Sequence, residues 1–146
     1  PSDEVEKYMQ QFEDALALTP GMDRPRFMTM RAAAIFETDA EKDIHIAAVQ
    51  NQGRQFENLF RNLEPVLKGF PQPADPEVLV NQSEYTEENL MNNLIFGSPE
   101  QAIENLKQYE TLGVDYFCYN ASFGVPMAEQ KKSLRLFIDK VMPAFQ

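Results

Sequence analysis

Residues 95–145 constrain the fold most, because they spell out a complete strand, helix, strand, helix succession with its punctuation in place. Leu94, Ile95 and Phe96 form a short apolar run that ends at Gly97, and Ser98, Pro99, Glu100 and Gln101 follow as a helix start. Ser98 suits the cap of the orphan N–H groups. Pro99 loses nothing at the first helical position, where its N–H would have no partner, and Gln101 stands where a capping-box side chain reaches back. Ala102, Ile103, Leu106 and Tyr109 share a helix face, and Gly113 stands where a left-handed residue ends a helix. In the next segment Val114, Tyr116 and Cys118 alternate with Phe117 and Tyr119, so both faces are apolar or aromatic, the pattern of a parallel strand covered on both sides. After a looser stretch, 121–127, Leu134, Phe137, Ile138, Val141 and Phe145 recur at helical spacing. Two parallel strands with crossover helices follow from the pattern.

Upstream, residues 2–18 read as an amphipathic helix with Val5, Tyr8, Met9, Phe12 and Leu16 on one face, stopped by Thr19, Pro20 and Gly21. Residues 27–36 are a strand candidate, although the Met and Ala content of 30–35 favours a helix on propensity alone. Thr38 to Glu41 spell a second capping box. A long helix follows with Ile44, Ala47, Ala48, Phe56, Leu59, Phe60 and Leu63 as its apolar set and Gly53 as a place to bend or break. Pro71, Pro73 and Pro76 make 70–78 irregular, and a short helix from about Thr86 leads back to Leu94.

Taken in order, Gly97 to Glu100, then Gly113, Val114, Asp115 and Phe117, then Ser133, Leu134, Leu136 and Phe137, and the ending Val141, Met142, Pro143, Ala144, Phe145 resemble the C-terminal end of the bacterial luciferase-like flavin monooxygenases. Residues 31–41, ending Phe36, Glu37, Thr38, Asp39, Ala40, Glu41, resemble the sixth strand and following helix of that family, which decides for a strand at 26–36. The resemblance implies an α/β chain, the C-terminal part of a (β/α)8 TIM barrel. It has about three parallel strands, near 26–36, 93–97 and 114–120, with several long helices, and 1–146 forms a single partial domain. At 146 residues the chain is shorter than the roughly 250 of a whole barrel, and a first residue Pro1 fits a fragment, a processed product or an engineered boundary.

The implied parent is a flavin-dependent monooxygenase or oxidoreductase acting on a small organic substrate with FMN, or a deazaflavin in related branches. The fragment is expected to be inactive and to retain no flavin by itself, with no catalytic residue of its own. The alternative is a naturally short, noncatalytic half-barrel that serves binding or assembly, and a third reading is an α-rich interaction domain. A barrel cut after its fifth strand exposes the edges of its sixth and eighth strands, so a homo-oligomer through those strand edges is expected.

Thirteen Lys and Arg against twenty-three Asp and Glu leave a net charge of −10, and no basic cluster exceeds Lys131 and Lys132. Nucleic acid and anionic membrane surfaces are excluded as partners on that balance. With no apolar span and no signal-peptide pattern the chain reads as cytoplasmic. Cys118 is the sole cysteine, so there is no internal disulfide and no cysteine metal site, and its place in the apolar strand reads as a small core residue.

His45, the only histidine, lies beside Asp43 and Glu41 and reads as part of a solvated helix face rather than a metal ligand. Ser98, at a helix start, is the candidate phosphate contact for a cofactor, although the cap explains it fully. Arg31 is a charge inside an apolar strand, and it either meets a carboxylate in the scaffold or projects toward a pocket. Tyr119, Asn120 and Phe123, with Ser122, fall at or beyond the C-terminal end of the last strand, where barrel sites form. The resemblance places them near flavin or substrate; the plainer reading makes Tyr119 and Phe123 core aromatics and Asn120 a loop cap. No glycine-rich dinucleotide fingerprint and no Walker loop is present.

Overall fold

The computed structural model describes residues 2–80 and 82–145. Helix α1, Ser2–Ala17, leads to strand β1, Met28–Ile35, and helix α2, Asp39–Arg61. A two-stranded hairpin follows, β2 at Val66–Leu67 and β3 at Phe70–Pro71, then the short helices α3, Glu77–Val80, and α4, Glu87–Asn93. Strand β4, Ile95–Gly97, helix α5, Pro99–Thr111, strand β5, Tyr116–Asn120, and helix α6, Met127–Leu136, complete the order. The last helix widens into a π-turn at Phe137–Val141 and tightens again at Met142–Phe145.

The chain is α/β with three parallel strands. Ala33, Ala34 and Ile35 pair with Ile95, Phe96 and Gly97, while Met28 to Ala32 pair with Tyr116 to Asn120. The sheet order is therefore β4-β1-β5, with the first strand in the centre. Neighbours in a barrel follow chain order, which would leave the first and third strands at the edges. Here the open edges belong to β4 and β5, because β5 returns to the side of β1 that β4 leaves free. The two crossovers run in opposite directions, and right-handed connections then place their helices on opposite faces. Ala33 and Ile35 accordingly meet Val5, Met9, Leu106 and Tyr109 of α1 and α5, while Ala34 and Phe36 meet Ile46 and Val49 of α2 and Leu90 of α4.

Local signals set the helix ends. The Thr38 hydroxyl accepts from the Glu41 N–H at 3.3 Å, and the Glu41 carboxylate reaches back to the Glu37 N–H at 3.0 Å. Ser98 and Gln101 close a full capping box on α5. Gly53 neither bends nor breaks α2, which runs through it; the missing side chain makes room for the Tyr85 ring.

Several expectations need correction. The buried side of α2 is His45, Ile46, Val49, Gly53 and Asn58, not the set headed by Ile44 and Ala47. The segment after α2 is not wholly irregular, since Lys68 and Gly69, both at positive φ, turn it into a hairpin. Strand β5 is half-buried rather than covered on both faces, with Tyr116 exposed, and Cys118 is half-buried with it. In the last helix Ser133 and Val141 are buried while Leu134 and Ile138 face solvent.

Candidate functional site

Parallel α/β sheets bind ligands outside the C-terminal ends of their strands, at the point where crossovers change direction. In this chain that point lies beyond Ile35, next to Gly97, and side chains fill it. Phe36 follows β1, Phe96 lies in β4 and Phe123 follows β5. All three rings surround His45 of α2, with centroids 6.0, 6.3 and 6.0 Å from the imidazole.

His45 is 2% exposed, and its Nδ1 is buried without a hydrogen-bond partner among the described residues. It is therefore not on a solvated face. Burial pushes its pKa below the ordinary histidine value, and the carboxylates of Glu129 and Glu41 oppose that shift in part. Among the described residues no group of three or more His, Cys, Asp or Glu side chains could hold a metal ion. The available signal was the helical spacing of His45 with Ile46, Val49 and Gly53, a small and apolar stripe that puts the imidazole on the inner side.

The pocket candidates do not converge. Phe123 is a core residue in contact with the Phe96 ring, 5.7 Å away between centroids. Asn120 turns its side-chain oxygen back to the Ser122 N–H at 3.1 Å, a local loop cap. The Tyr119 hydroxyl lies 2.7 Å from the Ser133 Oγ, which in turn accepts the Ile35 N–H at 2.6 Å. Pairing between β1 and β5 ends at Ala32 and Asn120, so Ser133 of α6 supplies the acceptor that a longer β5 would have given Ile35. Burial raises the Tyr119 pKa, offset in part by the Ser133 hydrogen bond.

Arg31 meets no carboxylate among the described residues. Its guanidinium donates to the Met30 carbonyl at 3.1 Å and lines an open groove of about 560 Å³ with Glu4, Tyr8, Phe12 and Met28. That groove borders the N-terminal half of β1, away from the aromatic cluster.

Ser98 does not offer a free anion site. Its hydroxyl donates to the Glu100 carboxylate at 2.7 Å and its Oγ accepts from the Gln101 N–H at 3.3 Å, so the turn already holds a negative charge. Gly97, at φ 142°, provides no cradle either, because the Gln101 side chain lies 2.5 Å from where a Cβ would stand.

No protein-family profile matches the chain. A curated relative does: the oxygenase component of the flavin-dependent trigonelline monooxygenase of Acinetobacter baylyi, 31% identical over 147 residues. The match takes in 98% of this chain and 40% of that protein. The relative is an oxygenase. The chain therefore spans well under half the length of the protein it resembles, and no described helix is long and apolar enough to cross a membrane.

Proposed function

We propose that this chain is the C-terminal part of a luciferase-like, flavin-dependent monooxygenase that acts on a small organic substrate within a longer parent barrel. The observation that carries the reading is the 31% identity to an oxygenase component along nearly the whole chain. The parallel pairing of the three strands and their crossover helices support an α/β parent, while the order β4-β1-β5 departs from the chain-order neighbours of a closed barrel. Flavin mononucleotide is the proposed cofactor of the parent, with a deazaflavin as the variant, and it supplies the oxygen or hydride chemistry. What the chain's own residues contribute is structural. Phe36, Phe96 and Phe123 seal the ends of the strands against water, and Tyr119 and Ser133 fix the end of β1.

The reading makes 1–146 one partial domain of a cytoplasmic enzyme, with no catalytic residue in this part. The chain alone is then inactive and without retained flavin, since the Ser98 turn holds its own carboxylate. The test is to express the genomic reading frame that contains this chain, supply reduced FMN, and follow oxygen uptake with trigonelline and related small aromatics. Uptake by the longer frame and none by this chain is the expected result. A stoichiometric flavin spectrum on this chain after gel filtration would sink the missing-part reading.

A second reading, a short noncatalytic half-barrel module, is favoured by the filled strand ends. A native start codon at or just before Pro1 would decide for it.

A further inference from the structure

The heaviest concentration of exposed apolar side chains lies outside the three-stranded sheet. Phe56, Leu59, Phe60 and Leu63 stand at helical neighbour spacing on the end of α2 and just past it, and they are 46%, 58%, 77% and 40% exposed. In the hairpin that follows, Val66, Leu67 and Phe70 are 63%, 55% and 72% exposed.

This face is built rigidly. Asn58, 2% exposed, donates its side-chain amide to the Gln72 carbonyl at 2.6 Å and accepts the Glu64 N–H at 2.7 Å, tying both ends of the hairpin to α2. The Phe56 and Phe60 rings stack with centroids 6.3 Å apart. The three phenylalanines, at about 200 Å² each when fully open, expose roughly 400 Å², half of the roughly 800 Å² that one partner buries in a standard interface.

Charge identifies the occupant. The whole chain is at −10, but residues 54–70 carry Arg54, Arg61 and Lys68 against Glu57 and Glu64, a small positive excess. A second copy therefore meets less repulsion here than over the acidic remainder. Arg61 already pairs with Glu57 inside the chain at 3.0 Å. Glu64 and Lys68, which bracket the start of the hairpin, have no ion-pair partner among the described residues. A two-fold interface requires one patch to be complementary to itself, residue i meeting j while j meets i, and an unpaired acid and base flanking an apolar centre meet that requirement.

We propose that the end of α2 and the β2–β3 hairpin form a two-fold homodimer interface, with Phe60 at its apolar centre and Glu64 of each copy facing Lys68 of the other. This differs from assembly through strand edges, and it goes beyond the oxygenase reading, because its readout is mass rather than flavin chemistry.

Sedimentation equilibrium on the purified chain up to roughly 100 µM, an affinity range typical of modest interfaces, tests it. A dimer is expected. Phe60→Glu should weaken association by about thirtyfold or more, the loss of one central anchor. Lys68→Glu and Glu64→Lys should each weaken it by about tenfold through like-charge contact, and the double exchange should restore it. Circular dichroism confirms folding of each variant, all of them altered at exposed or half-buried positions. A monomeric wild-type chain across the whole range overturns the proposal and leaves the face to another partner. A dimer that Phe60→Glu does not weaken also overturns it and points to the strand edges, and failure of the double exchange removes the Glu64 and Lys68 pairing.

Discussion

Gly53 of α2 lies directly beneath the Tyr85 ring, so close that a Cβ at position 53 would enter the space the ring occupies. The Gln50 side-chain amide donates to the Tyr85 carbonyl at 3.0 Å from one turn earlier, so the helix grips this tyrosine from two sides.

Two opposed effects follow from Gly53→Ala. Alanine favours a helix interior by about 1 kcal/mol over glycine, but the displaced ring costs about 1–3 kcal/mol as an overpacked contact. Urea unfolding should show net destabilisation in the wild-type background. With Tyr85→Ala already present the sign should reverse; destabilisation that persists there would mean that the ring is not the source of the loss, and stabilisation in the wild-type background would mean that the ring moves aside freely.

His45 sets a pH dependence. Its folded pKa lies below the ordinary 6.5 because burial disfavours the cation. The unfolded chain therefore binds the proton first on acidification. The stability contribution is complete above about 6.5 and declines as pH falls from there toward the lower folded value. Glu41 is held below the usual carboxylate range by the Glu37 N–H and by Lys132, so its loss comes at more acid pH, below its ordinary 4.5. Melting temperature against pH should show both windows, and His45→Phe should flatten only the upper one.

Ser133 carries the end of the central strand. Ser133→Ala leaves the buried Ile35 N–H without an acceptor, a loss of about 1–3 kcal/mol. Tyr119→Phe removes a hydroxyl but keeps that acceptor, so about 0.5–1.5 kcal/mol is expected. A double-mutant cycle in chemical denaturation checks the coupling, and strictly additive losses would separate the two residues.

Asn58 fastens the hairpin. Asn58→Ala should cost about 1–3 kcal/mol through the unpaired Gln72 carbonyl and Glu64 N–H. Amide hydrogen exchange should quicken across residues 64–72 while β1 stays protected. Equal acceleration in both places would make the hairpin part of the global unfolding unit.

What the sequence disclosed was local. The α5 capping box needs only Ser98 and Gln101, and both act as their spacing predicts. Strand β1 was legible through resemblance but not through propensity, because its Met and Ala residues become a strand only between β4 and β5. On α2 two apolar stripes competed, and the one with more large side chains proved to be the exposed one. The hairpin was hidden by its prolines and by a Lys68-Gly69 turn that lacks the usual Asn-Gly signal. At the candidate site the decisive partners are distant in sequence. Ser133 serves Ile35 across most of the chain, and His45 gathers phenylalanines from three strands or their ends, so local spacing could turn His45 inward but could name none of these partners.

The central place of β1 also bears on how the chain is made. Met28 must wait for Tyr116 and Ala33 for Ile95, so this strand leaves the ribosome long before either neighbour exists. Until then its alanine-rich half is free to coil as a helix, the state its own residues prefer. Sheet formation is thus a late, long-range event with a slow closure step. During synthesis, the chain's aggregation hazard is concentrated in the interval before β5 emerges.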